Sequence, residues 1–261
     1  MKKALLIGIN YIGTSNELRG CINDVVNMKN LLLSHYGFAS SEIVMMTELS
    51  EDLTKIPTLG NIIQALTELV RGADSTSQLI LHYSGHGGQT YDRSRDEVDR
   101  RDEMIYALDG QLIDDDLKRF VIAPLPEGAH LTFICDSCNS GTIGDIKYSY
   151  RSAISPTSVS YTTIKDTRYA DSKANVVVWS GCRDDQTSAD AFEAGINQGA
   201  MTYAFLETLK KFRNAQPPKA FSYASFLKSM CAFIKVRGYT QVPQMSSGKR
   251  IDISHTPFIL V

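Results

Sequence analysis

Short apolar runs alternate with amphipathic stretches along this chain, and the alternation predicts its secondary structure. Runs that are apolar at consecutive positions are typical of strands buried on both faces of a sheet. Such runs lie at residues 4–9, 43–47, 176–180 and 258–261, and at the beginnings of residues 79–89 and 131–141. Between them, apolar side chains recur at helical spacing in residues 24–36, 58–71, 200–214 and 222–236, which predicts amphipathic helices.

The order of these elements predicts the fold class. The first part of the chain reads strand, helix, strand, helix, strand, which is the order of a mostly parallel sheet. We therefore expect an α/β fold of three layers, in which a central sheet of about six strands is flanked by helices on both faces. The chain has 261 residues, of which 43% are hydrophobic, and this is enough for a single domain, residues 1–261, with one large core.

Two loops that follow buried strands carry the residues best suited to chemistry. His86 lies among glycines in residues 79–89, and Cys138 lies between polar residues in residues 131–141. In an open parallel sheet, functional groups gather beyond the carboxyl ends of the strands. If the two strands are neighbours, the Cys138 thiol and the His86 imidazole would face each other as a nucleophile and its base.

The glycines around His86 predict how a substrate would be held. Gly85, Gly87 and Gly88 are expected to allow positive φ angles and the close approach of a substrate backbone. The backbone amides of Gly87 and Cys138 would then line an oxyanion hole, which stabilises the tetrahedral intermediate of acyl transfer.

A metal site is the alternative interpretation of the same two loops. Cys135, Cys138, His82 and His86 are residue types that bind zinc. Two histidines four residues apart share a face only on a helix, however, and the glycines beside His86 disfavour a helix. Cys135 ends an apolar run and is expected to point into the core. Zinc binding therefore stays the weaker interpretation.

An acidic segment, residues 92–116, is either a solvated charged loop, which is the better interpretation for any single carboxylate, or a site for a cation. It holds many more Asp and Glu than Lys and Arg residues, and such a cluster repels itself unless arginines or a cation neutralise it. Asp114, Asp115 and Asp116 resemble the acidic first turn of a helix. Carboxylate oxygens are the ligands that calcium prefers.

A polar segment divides the domain in two. Residues 142–173 are rich in Ser, Thr and Tyr, and they show almost no apolar periodicity. We expect an exposed linker there, between a first part in residues 1–141 and a second part in residues 174–261.

Composition and charge narrow the class of protein. The formal net charge is −2, so no nucleic-acid partner is expected. No apolar stretch of the sequence approaches the length of a membrane span, and the apolar run near the N-terminus is too short for a signal peptide. The five cysteines lack the spacing of a disulfide framework, so we expect a reducing, cytoplasmic environment. Because no apolar stretch is long enough to span a membrane, we expect no membrane partner.

The motifs, taken together in this order, resemble those of type I metacaspases, a family of caspase-fold cysteine peptidases. The matching stretches are residues 5–11, 18–25, 82–88, 134–141, 180–190 and 199–202. The resemblance implies a three-layer caspase-like fold, with a p20-like part in residues 1–141 and a p10-like part in residues 174–261. It begins almost at Met1, so the N-terminal prodomain of many relatives is expected to be absent.

The resemblance also implies an activity. His86 and Cys138 would form the catalytic dyad of an endopeptidase that works through a thioester acyl-enzyme and cleaves peptides or proteins after Arg or Lys. The implied S1 pocket consists of Cys21, Asp24, Ser84 and Asp136. Two carboxylates at the floor of a pocket can bind a guanidinium through paired, charge-assisted hydrogen bonds. Asn139 stands where the family usually has His, and we expect activity to survive because this position is not the base.

Calcium activation and self-processing complete what the resemblance implies. The implied calcium ligands are Asp102, Asp114, Asp115 and Asp145, and most of them belong to the acidic segment. An enzyme that cleaves after basic residues could cut its own linker after Lys147, Arg151, Lys165, Arg168 or Lys173. We expect a monomer.

A non-catalytic scaffold or regulatory protein with the same fold is the alternative from another functional class. The presence of both His86 and Cys138 argues against it. Hydrolysis of a small Arg-containing peptide would separate the two hypotheses.

Overall fold

A computed structural model describes residues 1–91, 101–137, 143–154, 159–181, 190–193, 196–215 and 220–261. Within them the strands are β1 (Lys2–Gly8), β2 (Ile43–Thr47), β3 (Gln78–Ser84), β4 (Gly87–Tyr91), β5 (Arg101–Tyr106), β6 (Gln111–Ile113), β7 (His130–Asp136), β8 (Tyr148–Ile154), β9 (Val159–Lys165), β10 (Asn175–Ser180), β11 (Asp190–Glu193), β12 (Ile196–Gly199) and β13 (Gln244–Ser247). The helices of the same residues are α1 (Cys21–His35), α2 (Leu59–Val70), α3 (Asp114–Leu117), α4 (Ala200–Arg213) and α5 (Tyr223–Val236).

The described strands build one large sheet and two small ones. The large sheet has eight strands in the order β2-β1-β3-β7-β10-β13-β8-β9, and the small ones are β4-β5-β6 and β11-β12. Strands β2 to β10 of the large sheet pair in parallel, whereas β13, β8 and β9 are added in antiparallel pairs. The α/β class is therefore confirmed, but the expected number of about six strands is too low.

Helices cover both faces of the large sheet, as predicted. Leu66 of α2 packs with Leu81 on one face, and Val25 of α1 and Phe205 of α4 pack with Trp179 on the other. Successive side chains of a strand point to opposite faces, so the central strands bury both sets of alternate residues. This double burial is the reason that these strands are continuously apolar in sequence.

The long helices begin and end close to the predicted positions because their caps are local. The Thr58 side chain accepts a hydrogen bond from the Asn61 amide at 3.3 Å, and the Ser222 side chain accepts one from the Ser225 amide at 3.2 Å. Such caps satisfy amides that have no partner inside the helix. In the described part of the chain, no helix combines the length and the apolar character needed to span a membrane.

The stretch expected to be an exposed linker, residues 142–173, contains two strands instead. β8 lies inside the large sheet between β13 and β9, and Tyr148 and Tyr150 are buried. Its polar side chains find partners in the sheet, since the Ser149 and Ser246 hydroxyls lie 3.2 Å apart. The expectation of an exposed linker is therefore wrong for β8, because polar side chains that bond to each other can be buried without an apolar pattern.

The strand predicted at residues 258–261 is also wrong. Phe258 packs against Phe226 in an aromatic cluster, with ring centroids 4.3 Å apart, and the segment has no strand structure. The neighbour of β10 is β13, which is buried although it is largely polar. The apolar side chains of residues 258–261 indicate that the segment is packed against the core, but such packing does not require strand pairing.

Candidate active site

The carboxyl ends of three parallel strands meet at one edge of the sheet. β3 pairs with β1 and with β7, and the register places Ser84 beside both Gly8 and Asp136. The strands that lead to the two loops are therefore neighbours, which is the condition under which the sequence predicts the dyad. His86 follows β3 by two residues and Cys138 follows β7 by two residues. Cys138 and Asn139 lie outside the described residues, so the pairing of the dyad stays a prediction.

His86 is held at both its backbone and its ring. Its amide donates to the Tyr11 hydroxyl at 3.0 Å, and its ring lies against the Tyr11 ring with centroids 4.6 Å apart. The Nε2 atom is 2.7 Å from the Asn16 carbonyl oxygen. Because a carbonyl oxygen can only accept a hydrogen bond, Nε2 carries the hydrogen, and Nδ1 is left as the basic nitrogen.

Two buried tyrosines support the turn that carries His86. The Tyr11 and Tyr83 hydroxyls lie 3.1 Å apart, and the Tyr83 hydroxyl donates to the His86 carbonyl at 2.7 Å. Burial raises the pKa of both phenols above the usual value, so both stay protonated. A Cβ atom on Gly85 would lie 2.6 Å from the Tyr83 hydroxyl.

The glycines near His86 therefore have a different role from the expected one. Gly85, Gly87 and Gly88 do not adopt positive φ angles. Gly85 is required because two hydroxyls occupy the space of a side chain, and Gly87 and Gly88 begin β4. Gly87 directly follows His86, but the Cys138 amide lies outside the described residues, so the oxyanion hole stays a prediction.

The residues predicted for the S1 pocket converge on one buried group of carboxylates. Asp24 of α1 and Asp136 of β7 are 0% and 3% exposed. The Ser84 hydroxyl donates to Asp24 Oδ2 at 2.6 Å. Cys21 is a buried cysteine one turn before Asp24 on α1.

Sequence reasoning did not identify the backbone groups that hold these carboxylates. The Gly199 amide donates to Asp24 at 3.0 Å, and the Thr202 amide donates to Asp136 Oδ2 at 2.7 Å. Both amides belong to the N-terminal end of α4, where the helix dipole favours negative charge. The sequence did indicate that this segment matters, because residues 199–202 are one of the motifs that carry the family resemblance.

Gly199 leaves no space for a side chain, which gives a testable consequence. An ideal Cβ atom there would lie 2.2 Å from Asp136 Oδ2 and 2.7 Å from Asp24 Oδ2. Gly199→Ala is therefore expected to displace the carboxylates and to lower kcat/KM for an Arg substrate by about tenfold or more, since misplaced binding groups lose their charged partner. Peptidase assays and thermal unfolding measure the two effects.

Gly60→Ala is the matched control for this substitution. Gly60 lies in α2, and no atom stands within 4 Å of its ideal Cβ position. Alanine is favoured over glycine in a helix by about 1 kcal/mol, so this variant should be stable and active. Wild-type kinetics in Gly199→Ala would contradict the assignment of the pocket.

Three of the predicted calcium ligands are buried carboxyl groups, and two of these belong to the acidic segment. Asp102, Asp114 and Asp145 are buried. Burial, together with the nearby Asp145 and Glu103 carboxylates, holds the pKa of Asp114 well above its usual range. The Glu103 and Asp115 amides donate to the two Asp114 oxygens at 3.0 and 2.9 Å. A bound cation would relieve the repulsion between these carboxyl groups.

Asp145 is engaged by two neighbouring side chains. It has a φ of 52°, an uncommon value for a residue other than glycine. Its Oδ1 atom accepts from the Tyr169 hydroxyl at 3.0 Å, and its Oδ2 atom pairs with the Lys118 ammonium at 3.3 Å. Lys118 thus partly neutralises the cluster in this structure.

The donor chemistry of this cluster suits calcium, but its side chains are not arranged as a closed set of ligands. Among the described residues, no three His, Cys, Asp or Glu side chains form a group that could hold a metal ion. The predicted ligands Asp102, Asp114, Asp115 and Asp145 all lie within the described residues. Carboxylate oxygens are the ligands that fit calcium rather than zinc, and calcium binding stays a prediction.

The side chains of the alternative zinc interpretation point elsewhere. His82 is fully buried, its Nε2 atom lies 3.2 Å from the Thr202 hydroxyl, and burial lowers its pKa to about 3. Cys135 lies in the hydrophobic core, as predicted, and its sulfur is 3.2 Å from the Ser137 hydroxyl. Both side chains are therefore buried within the fold.

Comparisons with known proteins agree with these features. The family described as "Metacaspase, peptidase C14 domain" matches residues 2–147. Metacaspase-1 of Kluyveromyces lactis is 40% identical over 96% of this chain and 67% of that relative. Metacaspase-1 of Saccharomyces cerevisiae strain YJM789 is 38% identical over 97% of this chain and 68% of that relative.

Solved structures give the same fold. A crystal structure of a protein from Geobacter sulfurreducens has a TM-score of 0.67 and 28% identity, and the match covers 98% of each chain. Caspase-1 from Spodoptera frugiperda has a TM-score of 0.57 and 15% identity, over 99% of this chain and 89% of that chain. The solved structures show the fold, and the match to the metacaspase family model together with the identity to metacaspase-1 proteins shows the family. The chain belongs to the metacaspase family and is a caspase-like cysteine peptidase that acts on peptides or proteins.

Proposed function

We propose that this peptidase is an endopeptidase that cleaves after Arg or Lys by means of Cys138 and His86. The observation that carries the specificity is the buried carboxylate pair formed by Asp24 of α1 and Asp136 at the end of β7. A guanidinium or ammonium group is the natural partner of two desolvated carboxylates. A P1 Asp would instead meet like charge, which disfavours it strongly.

In the proposed mechanism, the basic Nδ1 atom of His86 takes the proton of the Cys138 thiol. The thiolate attacks the scissile carbonyl, and His86 returns the proton to the leaving amine. A water molecule, activated by the same imidazole, then hydrolyses the thioester. The Asn16 carbonyl supports this cycle because its contact with Nε2 fixes the orientation of the ring.

The direct test uses fluorogenic peptides that differ only at P1. Peptides with Arg or Lys at P1 should be cleaved, and the matching Asp peptide should not. A preference for Asp would contradict the proposed pocket, whereas alkylation of Cys138 by iodoacetamide should stop the cleavage of the Arg peptide.

Calcium is the proposed activator. The hairpin formed by β4 and β5 begins directly after His86, and it pairs Gly87 with Ile105 and Thr90 with Asp102. A cation bound by Asp102, Asp114, Asp115 and Asp145 would remove the repulsion between buried carboxylates. It would also fix β5, which is bonded to the His86 turn through the Tyr106 amide and the His86 carbonyl at 3.1 Å.

The calcium dependence is expected to disappear in a double variant. In Asp114→Ala/Asp115→Ala, two of the proposed ligands are lost, so added calcium should no longer raise kcat/KM above the value in excess chelator. Magnesium should replace calcium poorly in the wild type, because it gives up its water ligands reluctantly. An activity titration from chelator to millimolar calcium measures both effects.

Asp116→Ala is the matched control for the calcium titration, because it removes a neighbouring carboxylate that is not a proposed ligand. A wild-type calcium response is expected in this variant. Full wild-type activity in excess chelator, or an unchanged response in the double variant, would contradict the calcium proposal.

Self-cleavage is proposed for the exposed part of the segment between the two halves of the domain. Lys165 ends an edge strand, and Lys165, Arg168 and Lys173 are exposed. Arg151 lies within β8 between two other strands, and the Lys147 side chain pairs with Asp171 at 2.7 Å. A protease needs an extended and accessible segment, so cleavage at Arg151 would require the sheet to open.

Mass spectrometry of the protein after incubation with calcium should therefore find cuts after Lys165, Arg168 or Lys173 before any cut after Lys147 or Arg151. The Cys138→Ala variant is the control and should stay intact. A first cut after Arg151 would contradict this order.

A further inference from the structure

One loop supplies two of the contacts that hold the His86 side chain. We define the His86 support loop as residues 10–17. Tyr11 in this loop packs its ring against the imidazole at a centroid distance of 4.6 Å, and Asn16 places its carbonyl oxygen 2.7 Å from Nε2. The position of the catalytic ring therefore depends on the conformation of this loop.

A single carboxylate from another part of the chain holds the beginning of the support loop. Glu48 Oε2 accepts from the Asn10 amide at 2.5 Å and from the Tyr11 amide at 3.0 Å. Glu48 Oε1 accepts from the Ile12 amide at 2.8 Å. Glu48 follows β2, whose last residue pairs with the last residue of β1, so the register of the sheet brings it to this loop.

The three amides form the type of concave site that binds an anion. Consecutive N–H groups converge on one negative group when a residue among them has a left-handed conformation. Tyr11 has a φ of 53°, which is uncommon for an aromatic residue. Backbone strain of this kind persists only where the surroundings enforce it, and it clusters at functional sites. The Glu48 carboxylate is the group that enforces it here.

We infer that Glu48 is a positioning residue for the catalytic histidine. It does not touch His86, but it holds Tyr11 in the conformation that lets the phenol ring face the imidazole and the phenol hydroxyl accept from the His86 amide at 3.0 Å. The same loop conformation keeps the Asn16 carbonyl on Nε2 and thereby selects the tautomer with a basic Nδ1. This inference rests on the proposed function, in which His86 is the base.

The other bonds of the support loop do not hold the Asn10, Tyr11 and Ile12 amides. The Asn10 side chain accepts from the Cys21 and Ile22 amides of α1 at 3.0 and 3.3 Å, and the Tyr11 hydroxyl donates to the Tyr106 carbonyl at 2.8 Å. Glu17 accepts from the Gly13 amide at 2.8 Å, and the Thr14 hydroxyl donates to the Tyr11 carbonyl at 2.8 Å. Both bonds are made within the loop, so they shape it without attaching it to the sheet. The Glu48 bonds span 36 to 38 residues of sequence and fix the loop relative to the sheet that carries His86.

Three variants test the inference, in saturating calcium. Glu48→Ala removes both acceptor oxygens and with them all three hydrogen bonds, Glu48→Gln keeps the volume but only one acceptor oxygen, and Glu48→Asp keeps the charge. A small displacement of a catalytic group costs up to about 100-fold in rate. We expect kcat to fall by about tenfold to 100-fold in Glu48→Ala with KM within about twofold of the wild type. The Asp variant should retain more activity than the Gln variant.

Glu42→Ala is the matched control. Glu42 also accepts a backbone N–H, that of Ala39 at 2.7 Å, but it has no contact with the support loop among its bonds in this structure. Glu42→Ala should lower the melting temperature without lowering kcat. If Glu42→Ala lowered kcat as much as Glu48→Ala, the effect would be one of stability alone and the inference would be wrong.

A second measurement does not depend on activity. The ring nitrogen signals of His86 in a ¹⁵N spectrum, recorded in the Cys138→Ala background and assigned with His86→Gln, should report the tautomer protonated at Nε2. Glu48→Ala should shift them toward a mixture of tautomers. An unchanged tautomer together with wild-type kcat would overturn the inference. Full activity of His86→Ala would instead refute the proposed function, whatever the Glu48 variants show.

Discussion

Cys138→Ala and His86→Ala are each expected to lower kcat/KM for an Arg peptide by several orders of magnitude. The first removes the nucleophile, and the second removes the base and leaves the thiol largely protonated. Loss of either member of a cooperating pair costs about as much as loss of both, so the double variant should be no worse than either single one. Initial rates with a fluorogenic peptide measure the effect.

Cys231→Ala is the matched control for the nucleophile. Cys231 is a buried cysteine of α5, outside the candidate site. Its sulfur lies 3.1 Å from the Ser152 hydroxyl and 3.6 Å from the Pro243 carbonyl oxygen. Its removal should cost about 1 kcal/mol of unfolding free energy and leave kcat unchanged. Wild-type turnover in Cys138→Ala would refute the mechanism, and a wild-type protein that hydrolyses no peptide would favour a scaffold function.

Asp136→Asn and Asp24→Asn are expected to remove most cleavage after Arg and Lys. Each change keeps the size of the side chain but takes one charge from the buried pair that is proposed to bind the P1 cation. The loss of one partner of a desolvated charge pair costs about 2 kcal/mol or more, which is about 30-fold or more in kcat/KM. Asp24→Asn also disturbs the hydrogen bond from the Ser84 hydroxyl.

The rate of alkylation by iodoacetamide separates the pocket from the dyad. The Asp variants should keep the wild-type rate of Cys138 alkylation, because they leave the thiol and the imidazole in place. Asp109→Ala is the control, since Asp109 accepts the Leu59 amide at 2.6 Å outside the pocket. An unchanged preference for Arg in Asp136→Asn would mean that another group binds the P1 side chain.

The core of the fold could be predicted because its information is local. The strands β1, β3, β7 and β10 are largely buried on both faces and are therefore apolar at consecutive positions. The helices carry their caps in sequence, as Thr58 and Ser222 show. Each of these signals involves only residues within about a turn of each other, so a single sequence contains it.

The polar strands could not be predicted for the opposite reason. β8 and β13 pair with each other although they lie far apart in the chain, and Ser149 and Ser246 become buried by bonding to each other. Neither partner shows in its own sequence that the other will be present. The apolar residues 258–261 were misinterpreted because burial in an aromatic cluster needs no strand.

The sequence by itself determined the chemistry of the site, namely a thiol, an imidazole, a carboxylate pair and an acidic segment. Only the tertiary structure decided how these groups are held. The pairing of Ser84 with Asp136 and the amides of Gly199 and Thr202 define the carboxylate pocket. Glu48 carried no signal in sequence, because an acidic residue after a strand is ordinary. Its role arises from three amides on a distant loop, and such contacts depend on the register of the folded sheet.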